Sequence, residues 1–373
     1  MGYPSPLPPF RSVLTLSFLL LLPEAVRSQA VPRTDTPREG KLRVTFEPVV
    51  TTWEYEFTPQ GRTPVGITLP ATVFIRQEQR VTPLMLEWGI TNRLAIGAKA
   101  PLVRVNSRET YSLDSTGQPD SAGQALQAML ADPIYAYAPI ANTPRNLHYF
   151  AGDMELQAKY RLVDEGDYAF STTLLLRLPT GHQDSPNNLF DIPTGDHQTD
   201  VEIQAAGELI LLSRIWLNGS IRIANQRPGT REMRVGPQSE LIHPYATLAT
   251  LNWDPGDYVA FDFAPMYRFS KYFGAGFTAG WYNKPEDHYT FQSRADSIQL
   301  ENNSGSALSA SVLDRGTAVR RWRLGVAMTY VSPDVEGSLS FEQTVSATAE
   351  EAGTRIPAAT VFRIVMRLSR WPF

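Results

Sequence analysis

The sequence of 373 residues contains no cysteine. Disulfide frameworks, thiolate metal sites and a lipid-modified cysteine behind an export signal are therefore excluded, so any attachment to a membrane has to come from the fold itself. An excess of positive charge is also missing, because the formal net charge is −4. Nucleic-acid recognition needs a concentrated basic face, and we therefore expect no nucleic-acid partner.

Long apolar runs are scarce as well. The one such run spans residues 13–22 and follows Arg11 in the sequence. It is far shorter than the ~20 apolar residues of a membrane helix, so a helical anchor is the weaker alternative. With Ser28-Gln29-Ala30 behind it, the pattern predicts a secretory signal peptide over residues 1–30, cleaved after Ala30. Residues 31–373 are then one exported domain without helical membrane spans.

The exported part of the chain alternates apolar and polar residues with a period of two. Met154, Leu156, Ala158, Tyr160 and Leu162 alternate with charged or amide side chains, a pattern that no helix can segregate. The same alternation marks residues 201–209, 215–223 and 322–330, and further strands are predicted within 84–102, 168–178, 259–269 and 335–341. Each segment can supply the ~9–11 residues of a tilted membrane strand.

The last predicted strand is amphipathic and ends in an aromatic residue. Phe362, Ile364, Met366 and Leu368 share one face, and the chain ends at Phe373. Many bacterial outer-membrane barrels end in this way, so we expect the barrel-assembly machinery to recognise this strand. The apolar phase slips near the end, and Pro372 cannot donate to a ladder, which a terminal bulge would accommodate. An edge strand of a soluble sandwich is the alternative.

Short and long connections alternate along the chain. Residues 91–93, 164–167, 213–214 and 332–334 are predicted turns, whereas residues 106–147, 182–198, 227–240 and 283–318 are long and polar or proline-rich. Outer-membrane barrels have short periplasmic turns and long outer loops, and a soluble sandwich has no reason to keep its long loops at one end. The sequence therefore predicts an all-β fold, an antiparallel up-and-down transmembrane barrel.

The number of strands is less clear than the fold. Segmentation from Leu42 to Leu368 gives thirteen strands, but two periplasmic ends require an even number. The discrepancy lies between Trp253 and Ala318. Fewer strands within residues 257–282 would give twelve, and an additional strand beginning within residues 289–294 would give fourteen. We predict twelve.

Several segments resemble a known family of outer-membrane proteins. These segments are Leu86–Pro101, Gly152–Leu162, Leu178-Pro179-Thr180-Gly181 and Arg214–Gly219. They look like the outer-membrane proteins named for the meta-cleavage pathway of phenol degradation. The resemblance implies the barrel fold, and because its motifs are turns and strands, it carries no substrate site onto residues of this chain.

If the apolar face of each strand contacts lipid, the charged residues of the opposite face line the lumen. The candidates are Asp153, Glu155, Lys159, Arg161, Arg177, Glu202, Glu208, Arg222, Asp262, Arg268, Arg321 and Arg323. Unpaired charges in a narrow, dry interior would be costly, so these side chains must be paired across strands or solvated by water. An inert polar core and a narrow, water-containing channel both satisfy this requirement.

The longest predicted loop contains a helix. Asp120 or Ser121 can cap a helix over residues 122–131, whose apolar stripe includes Leu126, Met129 and Leu130. Tyr135 and Tyr137 follow it. Such a loop could constrict the pore and meet aromatic solutes, or it could be an outer cap that stabilises the barrel.

Catalysis and metal binding have weak signals. His182, Asp184 and Ser185 lie close together on one predicted loop, but a catalytic triad is defined by geometry and these residue types often share polar loops. Asp184, Asn187, Asn188 and Asp191 lack the regular spacing of a calcium loop. We therefore expect no enzyme activity, cofactor or metal.

The sequence favours a passive outer-membrane channel for small solutes, with aromatic or hydrophobic ones as candidates. A structural barrel without transport is the main alternative, and a barrel hydrolase is a more remote one.

Overall fold

A computed structural model describes residues 33–138, 150–332 and 335–371, with side chains up to Leu368 in the last strand. The predicted signal peptide, Pro372 and Phe373 lie outside the described residues. Within the described ranges, no helix has the length and apolar character needed to cross a membrane.

Twelve long strands form a closed barrel. They are β1 (Leu42–Phe46 and, after a break, Val49–Trp53), β2 (Val73–Gly89), β3 (Leu94–Tyr111), β4 (Met154–Asp164), β5 (Tyr168–Leu178), β6 (Asp200–Leu211), β7 (Ile215–Gln226), β8 (Tyr258–Arg268), β9 (Phe273–Lys284), β10 (Val319–Val331), β11 (Val335–Thr348) and β12 (Thr360–Trp371). Each strand pairs antiparallel with the next, and β1 pairs with both β2 and β12. The predicted twelve-stranded up-and-down barrel is confirmed.

A small sheet outside the barrel accounts for the surplus strand of the segmentation. Gly229–Arg234, Leu248–Asp254 and His288–Phe291 form this separate three-stranded sheet. Residues 257–282 contain the two barrel strands β8 and β9. Alternation of apolar and polar residues marks any half-buried strand, so it cannot distinguish a barrel strand from a strand inside a connection.

The two ends of the barrel differ. Short turns close one end, here called the turn end, where Leu42 of β1 also pairs with Trp371 of β12. In one of these turns, Leu212 and Ser213 both have positive φ angles of 52° and 58°, as in the type I′ turns that suit strand twist. The long connections all emerge at the opposite end, here called the loop end.

A cap covers part of the loop end. Helices α1 (Ser121–Ala131) and α2 (Arg294–Ser304) belong to it. The sequence predicts α1, and Asp120 caps it through a hydrogen bond from the Gly123 amide (2.8 Å). It does not predict α2, whose one buried residue is Leu300, because a helix with so little apolar surface has almost no periodic signal.

The predicted start of the longest loop is wrong by several residues. The sequence places that loop from Asn106 onwards, but β3 continues to Tyr111 and pairs throughout with β2. The inner face of this extension is apolar, since Ile75 of β2 and Tyr111 of β3 pack against Leu126 and Leu130 of α1. Burial under the cap therefore keeps these residues in the sheet.

Outward and inward faces alternate along every barrel strand. In β5, Leu174 points outward and is 51 % exposed, whereas its neighbour Thr173 points inward and is 3 % exposed. Large apolar side chains recur on the outward face, as in Leu156, Ile203, Phe261, Leu324, Phe341 and Phe362. A continuous apolar belt of this kind marks a surface that contacts lipid or another apolar partner.

Candidate functional site

The barrel interior contains a cavity of about 440 Å³, here called the lumen cavity. Ten arginine and lysine side chains line it together with six carboxylates, Glu47, Glu87, Glu155, Glu202, Asp262 and Glu342. Most of these groups alternate with outward apolar residues, which is the signal by which the sequence identifies lumen candidates. Arg33, Arg43, Glu87, Lys99, Tyr258 and Tyr282 also line the cavity and are missing from the predicted set.

A segment preceding β1 crosses the lumen at the turn end. The amide of Thr34 donates to Glu208 of β6 (2.9 Å), and the Arg33 guanidinium pairs with Glu336 of β11. Those two strands are five apart in a ring of twelve and therefore nearly opposite each other. Residues 33–41 are here called the N-terminal segment. Its sequence does not predict a position in the lumen, because it has no strand periodicity.

Ion pairs hold the N-terminal segment to the barrel wall. Asp35 accepts from Arg43 of β1 (2.6 Å), and Arg43 lies 3.7 Å from Glu87 of β2. Glu87 also pairs with Lys159 of β4 at 3.4 Å. Each buried charge therefore has a neighbour of opposite sign, which is the condition for burying it without a large desolvation penalty.

Apolar side chains fill another part of the turn end. Trp216, Ala264, Met266 and Ala327 pack together inside the barrel. Arg268, a predicted lumen residue, lies beside them with its guanidinium 5.1 Å from the Trp216 ring centre. It donates to the Ser270 carbonyl at 3.2 Å and is absent from the lumen cavity lining.

The middle of the lumen is crossed by paired charges. Glu155 of β4 lies between Lys99 (3.1 Å) and Arg177 (3.8 Å), and Arg177 also reaches Asp200 at 2.8 Å. On the other side of the lumen, Asp262 accepts from Arg222 (3.1 Å) and Arg323 (3.0 Å). These residues, most of which the sequence predicts to face the lumen, thus form cross-strand pairs, as the cost of isolated buried charge requires.

One lumen arginine is arranged differently. Arg321 of β10 has no carboxylate within ion-pair distance among the described residues, and its guanidinium lies 5.1 Å from the ring centre of Tyr282. Tyr282 is in turn 5.2 Å from Tyr258, whose hydroxyl donates to Glu202. Arg321 is therefore a cation stabilised by an aromatic face and still able to accept a mobile anion.

Three other predicted lumen residues form hydrogen bonds or ion pairs with other segments of the chain. Asp153 accepts from the amides of Gly181 (2.7 Å) and Asp196 (3.0 Å), which ties the start of β4 to the loop between β5 and β6. Arg161 pairs with Asp164 and donates to the Thr36 carbonyl at 3.5 Å. Glu208 accepts the Thr34 amide described above. None of these three residues lines the lumen cavity.

Two further cavities lie towards the loop end. A cavity of about 520 Å³, here called the vestibule, shares Lys99, Glu155 and Arg177 with the lumen cavity. A third cavity of about 320 Å³, here called the outer cavity, shares Asp184 and Arg231 with the vestibule. The three cavities therefore adjoin one another in series, separated by charged side chains.

The residues with catalytic side-chain types do not form a triad. Asp184 pairs with Arg231 at 3.2 Å, and burial raises the pKa of Asp184 to about 6. His182 lies 3.9 Å from Asp191, which also accepts the amide of Ser185 at 3.1 Å. Among the described residues, no group of histidine and carboxylate side chains is placed to hold a metal ion.

The predicted constriction residues belong mainly to the cap. Leu126 and Leu130 are buried, and Met129 and Tyr135 pack against the same cluster. These four residues do not line the lumen cavity, the vestibule or the outer cavity, whereas Tyr137 lines the outer cavity. The stripe thus packs onto the extended ends of β2 and β3.

No family model matches the sequence, and no curated protein matches it. The structure is similar to the crystal structure of an outer-membrane channel from Pseudomonas putida F1, with a TM-score of 0.58 at 10% identity, covering 91% of this chain and 99% of that one. The NanC porin (TM-score 0.38, 8% identity, 86% and 98% covered) and the CymD monoaromatic hydrocarbon channel (0.37, 13%, 90% and 90%) are too distant to support an argument. Together with its apolar belt, the first similarity shows that this chain has the fold of an outer-membrane β-barrel.

Proposed function

We propose that this protein is a passive channel of the outer membrane for small solutes that carry a polar or anionic group, aromatic ones included. The observation that carries the proposal is the series of three adjoining cavities from the loop end into the barrel. Basic groups outnumber carboxylates along the lumen cavity, which favours anions. Tyr258 and Tyr282 add aromatic surface, whereas a wholly apolar solute would displace water from charged walls at a cost.

Orientation and export belong to the same proposal. Residues 1–30 are removed on export, the turn end faces the periplasm, and β12 is the strand presented to the barrel-assembly machinery. The resemblance to the family named for phenol degradation supports this placement, since the quoted residues Leu86–Pro101 form the end of β2, a short turn and the start of β3.

Conductance in a planar lipid bilayer tests the proposal. We expect the refolded protein to give discrete single-channel steps, and protein-loaded liposomes to swell in isosmotic solutions of small organic anions. Boiled protein at the same concentration is the control. Absence of both signals would contradict the proposal.

A structural barrel without transport is the second candidate. It is favoured by the N-terminal segment and the Trp216 cluster, which occupy the lumen at the turn end. The two candidates separate if a variant with a released N-terminal segment is measured beside the wild type. A structural barrel is silent as the wild type and conducts, if at all, only in the released variant, whereas a channel already conducts as the wild type.

A further inference from the structure

Arg321 differs from the other cations of the lumen cavity. Ten arginine and lysine side chains line that cavity, and among the described residues every one of them except Arg321 has a carboxylate within ion-pair distance. The Nε of Arg321 is buried and has no hydrogen-bond partner among the same residues. A half-buried cation without an acidic partner gains free energy when a solute brings an anion to it.

The charged neighbours of Arg321 are themselves positive. Among the described residues, the charged side chains that act on its guanidinium are Arg222 and Arg323. Asp262 cannot compensate Arg321 as well, since one of its carboxylate oxygens accepts from Arg222 and the other from Arg323. The electrostatic environment of Arg321 therefore favours an anion.

Strand register places further donors beside Arg321. Arg222 of β7 is opposite Ala260 of β8, which is opposite Tyr282 of β9. Tyr282 is in turn opposite Arg321 of β10, and all four residues line the lumen cavity. The Nε of Arg222 is also buried without a hydrogen-bond partner, and the charges of Arg177, Arg222 and Arg321 all act on the Tyr282 hydroxyl. We call Arg222, Ala260, Tyr282 and Arg321 the lumen arginine site.

Apolar side chains line the lumen cavity beside these polar groups. Met85, Leu175 and Val365 line it, and Ala260 packs with Tyr258. The cavity volume of about 440 Å³ lies within the roughly 300–1,000 Å³ of small-molecule sites. Because one cation is unpaired and apolar side chains lie nearby, the cavity suits a solute with one negative charge and an apolar body.

We propose that the lumen arginine site binds the carboxylate of a small organic monocarboxylate with an apolar body, such as benzoate. The planar guanidinium of Arg321 matches a carboxylate through two parallel hydrogen bonds. The Tyr282 hydroxyl and the spare Nε of Arg222 are further donors for the same group. A single unpaired cation selects a single negative charge. The inference rests on the proposed function, whose solute class it narrows, but binding itself does not require conduction.

Isothermal titration of the refolded, detergent-solubilised protein with benzoate tests the proposal, with protein-free detergent as the blank. We expect one benzoate per barrel. Arg321→Gln should weaken binding about tenfold or more and Tyr282→Phe about threefold, because the first removes a charged pair of donors and the second a single hydroxyl. The matched control Arg320→Gln changes an exposed arginine that donates to Asn283 at 3.0 Å and should bind like the wild type. Benzamide, which lacks the charge, and acetate, which lacks the ring, should each bind about tenfold more weakly than benzoate.

Each contrary outcome overturns a distinct part of the proposal. Equal binding by Arg321→Gln and its control would remove Arg321 as the site, and if Arg321→Gln does not refold, unchanged binding by Tyr282→Phe would do the same. Benzamide binding as tightly as benzoate would remove the carboxylate as the recognised group. Acetate, terephthalate or inorganic phosphate binding as tightly would show that the site does not select one charge with an apolar body. Binding without conductance would contradict the channel proposal alone, whereas conductance without binding would contradict this inference alone.

Discussion

The guanidinium carbon of Arg234 lies 3.7 Å from the ring centre of Tyr137. The same guanidinium donates to the His243 carbonyl and to Asn187 Oδ1, both at 2.7 Å, and to the carbonyl of Tyr135. One side chain from the small outer sheet therefore joins the loop behind α1, the loop between β5 and β6, and the connection between β7 and β8. Burial lowers the pKa of Arg234, as expected for a cation that is held by carbonyls and rings and has no carboxylate partner among the described residues.

Removing this contact should loosen the cap and leave the barrel intact. For Arg234→Ala we expect the local stability of residues 121–137 to fall by about 2–4 kcal/mol, since several hydrogen bonds and a cation–π contact are lost together. Hydrogen exchange and limited proteolysis should show faster opening of this segment. Arg227→Ala, an exposed arginine of the same connection, is the control. Equal protection in both variants would show that Arg234 does not stabilise the cap.

The two faces of β5 should respond differently to a charge. Leu174→Arg places a guanidinium on the apolar belt and should cost about 2–4 kcal/mol in folding into lipid vesicles. Thr173→Arg points into the lumen cavity, which Thr173 lines, and should be tolerated better. The measurement is the folded fraction by heat-modifiable gel mobility in vesicles. Equal losses would indicate that both faces are buried in protein.

Release of the N-terminal segment should enlarge the conducting path. In the variant Arg33→Ala/Asp35→Ala, the ties to Glu336 and Arg43 are lost, and single-channel conductance should rise severalfold. Glu39→Gln changes an exposed charge of the same segment and should leave conductance unchanged. An unaltered conductance in the double variant would show that the segment does not limit flow.

Arg321 should influence the charge selectivity of the channel. Because it lacks a carboxylate partner among the described residues, Arg321→Gln removes a positive charge without leaving an acidic group unpaired. We expect the reversal potential in a salt gradient to shift towards lower anion preference. Arg320→Gln, the outward neighbour, which donates to Asn283 at 3.0 Å, should leave it unchanged. A cation-selective wild type, or identical shifts in both variants, would contradict the role of Arg321.

Acidification should change the stability of the loop that carries Asp184, at the boundary between the vestibule and the outer cavity. Burial raises the pKa of Asp184 to about 6, so the carboxyl is ionised at pH 7.5 and largely protonated at pH 5. A raised pKa in the folded state means that this group favours the folded cap most below pH ~4, and that this contribution is lost as the pH rises through about 6. Hydrogen exchange of the loop between β5 and β6, corrected for its intrinsic pH dependence, should therefore slow on acidification.

The variant Asp184→Asn separates this titration from others nearby. It cannot titrate, so the part of the pH response that depends on Asp184 should disappear. Burial also raises the pKa of Asp196 to about 6, and Asp196→Asn is the matched control for the remaining response. A wild-type profile unaffected by Asp184→Asn would show that the Asp184–Arg231 pair does not respond to pH.

Much of the fold was predictable because its rule is local. A period of two along segments such as Met154–Leu162 assigns each side chain to one of two faces. In the barrel, the apolar face points outward and the polar face points inward, as the alternation predicts. Short turns between long strands then determine which end of the barrel carries the loops. The strand number was harder, since strands such as Leu248–Asp254 lie in the outer sheet and have the same alternation.

The candidate site was predictable in composition but not in arrangement. By itself, the sequence determined that charged side chains such as Glu155 and Asp262 point inward, because their strand neighbours are apolar. Only the tertiary structure decided which of them pair, that Asp153 binds loop amides, and that Arg321 has an aromatic partner instead of an acidic one. It also decided that the N-terminal segment lies inside the barrel. These contacts join residues far apart in the chain, and distance in space follows from barrel closure and strand stagger, which no local pattern encodes.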